Sequence, residues 1–198
     1  MSIRSAYPSL VVLLALSLAG SAHAYSESID GELSSDPLLP TAVSVAPGSN
    51  LVTGQVTAAG DIRDYWTFSI APGQSLTAID VVSLQDGTSG GPANRSFIAL
   101  HPGATSAFPS GATIGGFLGG DHLDAIDEGT NVLLNLALAN LGGTGFSTPL
   151  GPGDYTFLIQ QTSAQIVAYT LDFVVVPEPG TALLLGLGLV GMGATRRR

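Results

Sequence analysis

Apolar and polar positions alternate with a period of two over much of this chain, and short turns rich in glycine and proline interrupt them. In Asp64-Tyr65-Trp66-Thr67-Phe68-Ser69-Ile70, the side chains of Trp66, Phe68 and Ile70 alternate with Thr67 and Ser69, and Pro72-Gly73 supplies a turn. That is the pattern of a strand with one wet face, because successive side chains point to opposite sides of a sheet. Tyr65, opposite Trp66, is therefore expected at the surface. Strand character begins at Leu51, residues 76–84 give a second candidate, and residues 95–101 a weaker third. Tyr155, Phe157 and Ile159 alternate after the turn Gly151-Pro152-Gly153-Asp154, and Tyr169, Leu171, Phe173 and Val175 alternate soon afterwards. Two strands so close in sequence predict a hairpin. Residues 131–141 fit two periods, a helical face of Leu134, Leu138 and Leu141 or an alternation of Leu134, Leu136 and Leu138. The neighbouring strands favour the second. Short strands without a convincing long helix predict an all-β fold, an antiparallel jelly-roll-like β-sandwich.

Both ends depart from this pattern. At the N-terminus Arg4 precedes an apolar run over residues 10–18 and the small residues Ala22-His23-Ala24. This three-part layout is that of a secretory signal peptide spanning residues 1–24, cut by signal peptidase after Ala24 to leave Tyr25 first. At the C-terminus Val176-Pro177-Glu178-Pro179-Gly180 leads into an uncharged stretch over residues 181–194, then Thr195 and Arg196-Arg197-Arg198. A helix over 181–195 is short for a durable anchor, since its uncharged part extends only about 21 Å at 1.5 Å per residue. The terminal arginines are expected to stay cytoplasmic, leaving the preceding domain outside. The chain thus divides into a signal peptide (1–24), an exported domain (25–175) and a C-terminal segment (176–198). The exported part, about 150 residues, is long enough for one core.

Charge narrows the choice of partners. All fifteen acidic residues lie between Glu27 and Glu178, and Arg63 and Arg95 are the basic residues inside that span, so it carries a net −13. Such a surface repels phosphate backbones, which excludes a nucleic-acid partner and favours cations. With no cysteine there is no disulfide framework, thiolate site or cysteine nucleophile. Two catalytic motifs are also missing: there is no S-x-x-K and no H-E-x-x-H. His101 and His122 are expected in solvent. A pair of carboxylates can serve glycoside hydrolysis, but that chemistry depends on a separation that sequence does not give. The expectation is a domain that is not an enzyme and needs no cofactor, with calcium as the one open option. Asp121, Asp124, Asp127 and Glu128, flanked by glycines, are candidate oxygen ligands for it, although a solvated loop or a single helical turn explains the same spacing. Asp61 and Asp64 are a weaker candidate pair, with Arg63 placed to neutralise either. Asn94-Arg95-Ser96 fits a glycosylation acceptor and reads as a loop.

The order and spacing of Pro177-Glu178-Pro179, a short apolar stretch and a terminal arginine cluster resemble the PEP-CTERM sorting signal of Gram-negative bacteria. The resemblance implies recognition by a membrane-embedded exosortase, removal of the tail, and transfer to the cell surface or extracellular matrix with a role in exopolysaccharide and biofilm. Asn50-Leu51-Val52-Thr53-Gly54-Gln55-Val56, then Asp61-Ile62-Arg63-Asp64-Tyr65-Trp66-Thr67-Phe68, and Gly153-Asp154-Tyr155-Thr156-Phe157 resemble the bacterial pre-peptidase C-terminal (PPC) domain, a β-sandwich appended to secreted enzymes. Here it has no catalytic partner within the chain, and its usual Asp-x-Asp is Asp61-Ile62-Arg63-Asp64. Three readings follow: a non-catalytic surface or matrix protein, a calcium-assisted carbohydrate-binding module, and a small secreted hydrolase.

Overall fold

The computed structural model of the protein describes residues 23–86, 96–106, 116–162, 166–178 and 180. The expected signal peptide up to Ala22, the acceptor asparagine Asn94, and Pro179 together with the apolar stretch and Arg196, Arg197 and Arg198 lie outside the described residues. Among the described residues, no helix is long and apolar enough to cross a membrane.

Two sheets carry the fold. One runs in the order β1 (His23–Ser26), β3 (Asn50–Val56), β9 (Val167–Pro177), β5 (Gln74–Asp86). The other runs β2 (Thr41–Ala42), β4 (Arg63–Ile70), β8 (Gly153–Gln161), β6 (Ser96–Pro102), β7 (Gly119–Leu123). Their facing sides close on one core drawn from both sheets, so the all-β, sandwich-like expectation holds. It is not purely antiparallel: β1 joins β3 and β2 joins β4 in parallel, because the N-terminal segment adds one short strand to an edge of each sheet.

Alternation decides what each strand buries. In β9, Val167, Tyr169, Leu171, Phe173 and Val175 are buried while the residues between them are half-buried. Trp66 is fully buried at the centre, its ring 4.8 Å from Phe157 and 5.9 Å from Phe173. Burying an aromatic side chain removes roughly 150–250 Å² from water, so this cluster dominates the core. Asn50 opens β3 and is itself buried. Its Nδ2 donates to the carbonyls of Ala46, Gly48 and Phe173, and its Oδ1 accepts from the Ala46 amide.

Four sequence expectations are corrected. The strands holding Phe157 and Phe173 are not a hairpin. They belong to opposite sheets, and the rings meet edge-on across the core at 5.4 Å, because a sandwich buries two apolar faces only by setting them against each other. Tyr65 is buried, not exposed: with Phe97, Ala99, Phe117 and Leu158 it forms a second cluster on the other face of β4, covered by a segment that local periodicity does not register. Residues 131–141 are helical turns rather than a strand. Asn131 Oδ1 accepts from the Leu133 amide at the start of α2 (Leu133–Leu136). Leu133 and Leu136 are buried, whereas Leu134, Leu138 and Leu141 face solvent. His101, on β6, is buried, and desolvation pushes its pKa down to about 4; His122 is exposed as expected, although it lies on β7 and not in a loop.

Candidate metal centre and sorting motif

The acidic residues that converge sit where β3 ends and β4 begins. Directly after β1, the single turn α1 (Glu27–Asp30) closes when the Gly31 amide donates to the Glu27 carbonyl, with Gly31 at a φ of +106° that favours glycine. Glu27 stitches this N-terminal segment to the sheet. Its Oε2 accepts from the Gln55 amide at 2.8 Å and its Oε1 from the Leu33 amide at 3.2 Å. Oxygens of Glu27, Glu32 and Asp64 lie within 4.8 Å of one another. Asp61 joins them through a hydrogen bond with Glu32.

Asp64 is the unusual member. It is fully buried in β4 on the side that faces the core. The Tyr169 hydroxyl donates to its Oδ2 at 2.6 Å, and its Oδ1 has no hydrogen-bond partner. A buried, unpartnered carboxylate oxygen is costly and calls for a proton or a cation. Close approach is built into the backbone: a Cβ at position 54 would lie 2.5 Å from the Tyr169 hydroxyl oxygen and 2.9 Å from Glu27 Cδ, so a side chain there would have to push these two groups away from the cluster.

Burial and mutual repulsion hold protons on this cluster. Desolvation pushes Asp64 up to about 9; the Tyr169 hydrogen bond opposes this, and the nearby Glu27, Asp61 and Glu32 add to it. Desolvation also raises Glu27 to about 7 and Asp61 to about 6. No basic group contributes to any of the three. Arg63, placed by sequence as a neutraliser, instead donates from Nε to Gln160 Oε1 at 2.8 Å. An oxygen-only set lacking histidine and cysteine suits a hard divalent cation such as calcium, whose charge replaces the protons.

The acidic loop singled out from sequence is engaged differently. Asp127 Oδ2 accepts from the Asp124 amide at 2.8 Å and the Asp124 side chain caps the Asp127 amide, a reciprocal box around the 3₁₀ turn Ala125–Asp127. Asp121 accepts from the His122 amide, and Glu128 from the Leu84 amide. Among the described residues these four do not form a converging group; Glu27, Glu32 and Asp64 do. Sequence flagged Asp61 and Asp64 but missed Glu27 and Glu32. Their only local trace is two acids five residues apart, and the acids they meet are about thirty residues away. An open groove of about 320 Å³ beside β2 and β4, lined by Ala42, Val43, Ser44, Val45, Thr67, Phe68 and Ser69, contains no titratable side chain.

At the other end of the sandwich, β9 runs without a linker into the motif Pro177-Glu178-Pro179-Gly180. Pro177 still pairs with Gln74, and the Glu178 amide donates to the Gly73 carbonyl at 2.8 Å. Pro177 and Gly180 are exposed. The motif is therefore not a wholly free peptide, because its first two residues complete a sheet. Ala24, the residue before the expected signal cut, lies in β1 paired with Leu51.

An all-β sandwich joined to a processing tail is the class of protein these elements define. Residues 175–198 match the PEP-CTERM protein-sorting motif, so the chain carries an exosortase signal, which implies export and processing at a membrane. The match does not extend into the sandwich, and no curated protein matches the chain.

Proposed function

We propose that this is an exported, exosortase-processed protein of the Gram-negative cell surface or extracellular matrix, associated with exopolysaccharide and not itself catalytic. The carrying observation is the sorting motif fused to the last strand of an acidic sandwich. The non-catalytic part of the reading rests on the sequence, which holds no cysteine, no S-x-x-K pair and no H-E-x-x-H. A PPC-like, jelly-roll-like identity for the sandwich rests on the residues quoted for that resemblance. The test is intact mass and cell fraction in a host that sorts such proteins, with and without its exosortase. A species starting at Tyr25, shortened near Pro177 to Gly180 and found outside the cell only with the exosortase, is the expected result. A full-length tail in the inner membrane of both strains would sink the reading.

A second reading has its own observation: the buried, unpartnered Asp64 Oδ1 amid three further acids favours calcium at Glu27, Glu32, Asp61 and Asp64. Terbium, a calcium stand-in, bound there should luminesce on excitation of Tyr169, which bonds Asp64 directly, and of Trp66, whose ring stacks 6.2 Å from Tyr169. No sensitised emission, or emission unchanged in Asp64→Asn, would remove calcium from this site. Calcium-assisted carbohydrate recognition is tested separately, by binding to host exopolysaccharide with and without calcium. Trp66, Phe68, Phe157 and Phe173 are core residues rather than a sugar-stacking platform.

A further inference from the structure

The four Pro-Gly dipeptides of the sandwich, Pro47-Gly48, Pro72-Gly73, Pro102-Gly103 and Pro152-Gly153, are spread over a hundred residues of sequence, yet the strand pairing gathers them at one end. Ile70 pairs with Gly153, Pro102 with Tyr155, Gln74 with Pro177, and Gly48 bridges Val175. At 71–74 the Gln74 amide donates to the Ala71 carbonyl, with Gly73 at a φ of +76°, which is the geometry that proline then glycine encodes in a tight turn. The strand that leaves the fold, β9, leaves from this same end. Acids at its rim are Asp154, which accepts from Ser69 Oγ, Asp172, which accepts from Ser49 Oγ and the Asn50 amide beside the Pro47-Gly48 turn, and Glu178. Glu27, Glu32, Asp61, Asp64 and Asp86 lie at the opposite end, where β3 and β5 finish and β4 begins.

We infer that this Pro-Gly end is the surface that faces the phospholipid bilayer while the chain is tethered, with the acidic end turned outward; the inference rests on the tethered, exported reading above. The deciding quantity is length. Pro177 is held in the sheet, and the uncharged stretch begins at Thr181. Whatever their conformation, the four steps between them span no more than about 14 Å. A domain of this size has a radius of gyration of about 15 Å, so the tether is too short for the acidic end to reach the membrane. It is also of the order of the headgroup layer plus a hydration layer, since headgroups add roughly 5–7 Å per leaflet. Lying on a side brings acidic residues towards anionic lipids, which repel them, whereas the turn-lined end carries the fewest charges. The sorting enzyme therefore meets Pro177 and Glu178 as the end of a strand, against the Ala71–Gly73 turn.

Because the chain has no cysteine, a single label reports position cleanly. The chain from Tyr25 to Arg198 carrying Ala71→Cys or Ala59→Cys, both at exposed turns at opposite ends, is labelled with a fluorophore and reconstituted into vesicles of phosphatidylethanolamine and phosphatidylglycerol carrying a headgroup nitroxide. β4, with eight residues, separates the two positions by about 26 Å at 3.3 Å per residue. Co-flotation of the chain with vesicles checks the tether independently. Flotation with quenching at Ala71→Cys several-fold greater than at Ala59→Cys is the expected result. Flotation with equal quenching, or with none at either position, overturns the orientation and leaves the tether standing. Failure to float overturns both.

Discussion

Asp64→Asn isolates the energetics of the acidic cluster. Without a cation, Asp64 keeps its proton in the fold up to about pH 9, while in the unfolded chain it ionises near its ordinary value of 3.8. A carboxyl whose folded pKa is raised contributes stability that is complete below the unfolded pKa and is lost as pH rises towards the folded one. Each pKa unit is worth ~1.4 kcal/mol, so by pH 7 the wild-type fold gives up roughly 4 kcal/mol at this residue relative to pH 3.8. Asparagine fills nearly the same volume, keeps an acceptor for the Tyr169 hydroxyl and does not titrate. Urea unfolding of both proteins in a chelator between pH 5 and 9 is the assay. The stability advantage of Asp64→Asn should widen with pH, by about 1.4 kcal/mol per pH unit at most. Calcium should close the gap from the wild-type side, since a ligand at a hundred times its Kd adds about 2.7 kcal/mol, and should leave the variant unmoved. Parallel pH profiles for the two proteins in chelator would refute the claim that Asp64 is buried and protonated.

Further outcomes follow from other parts of the molecule. Gly54→Ala should abolish calcium-induced stabilisation measured by thermal melting, because the new methyl group collides with Tyr169 and Glu27. Trp66→Ala should cost about 3–5 kcal/mol in urea unfolding, as expected for a large aromatic removed from a packed core. Asn50→Ala should cost about 3 kcal/mol by the same measure, because three carbonyls and the Ala46 amide lose their partner together. His101 gives the opposite pH dependence to Asp64. Its folded pKa is pushed down to about 4, so stability declines as pH falls from about 6.5 towards 4, and His101→Gln should flatten that acid limb in the same titration.

Sequence by itself determined the strand-rich class, the alternation that buries Trp66, Phe68, Phe157 and Phe173, and the sorting motif at residues 175–198. Each of these is written in near neighbours: period-two burial follows from the geometry of one strand, and a sorting signal is read as a contiguous peptide. What needed the tertiary structure were relations between distant segments. Phe157 and Phe173 look like a hairpin until the sandwich sets them on opposite sheets. Tyr65 looks wet until Phe117 and Leu158 cover it. The acidic loop at 121–128 attracted attention because its carboxylates are adjacent in sequence, yet they cap local amides. The cluster with a buried, unpartnered oxygen draws Glu27, Glu32, Asp61 and Asp64 from two stretches of chain, and Gly54 lets Tyr169 and Glu27 close in on it. The gathering of four Pro-Gly turns around the exit of β9 is of the same kind. Turn chemistry is local, but which end of the fold a turn occupies is decided by strand order and register, because pairing alone brings the turns together.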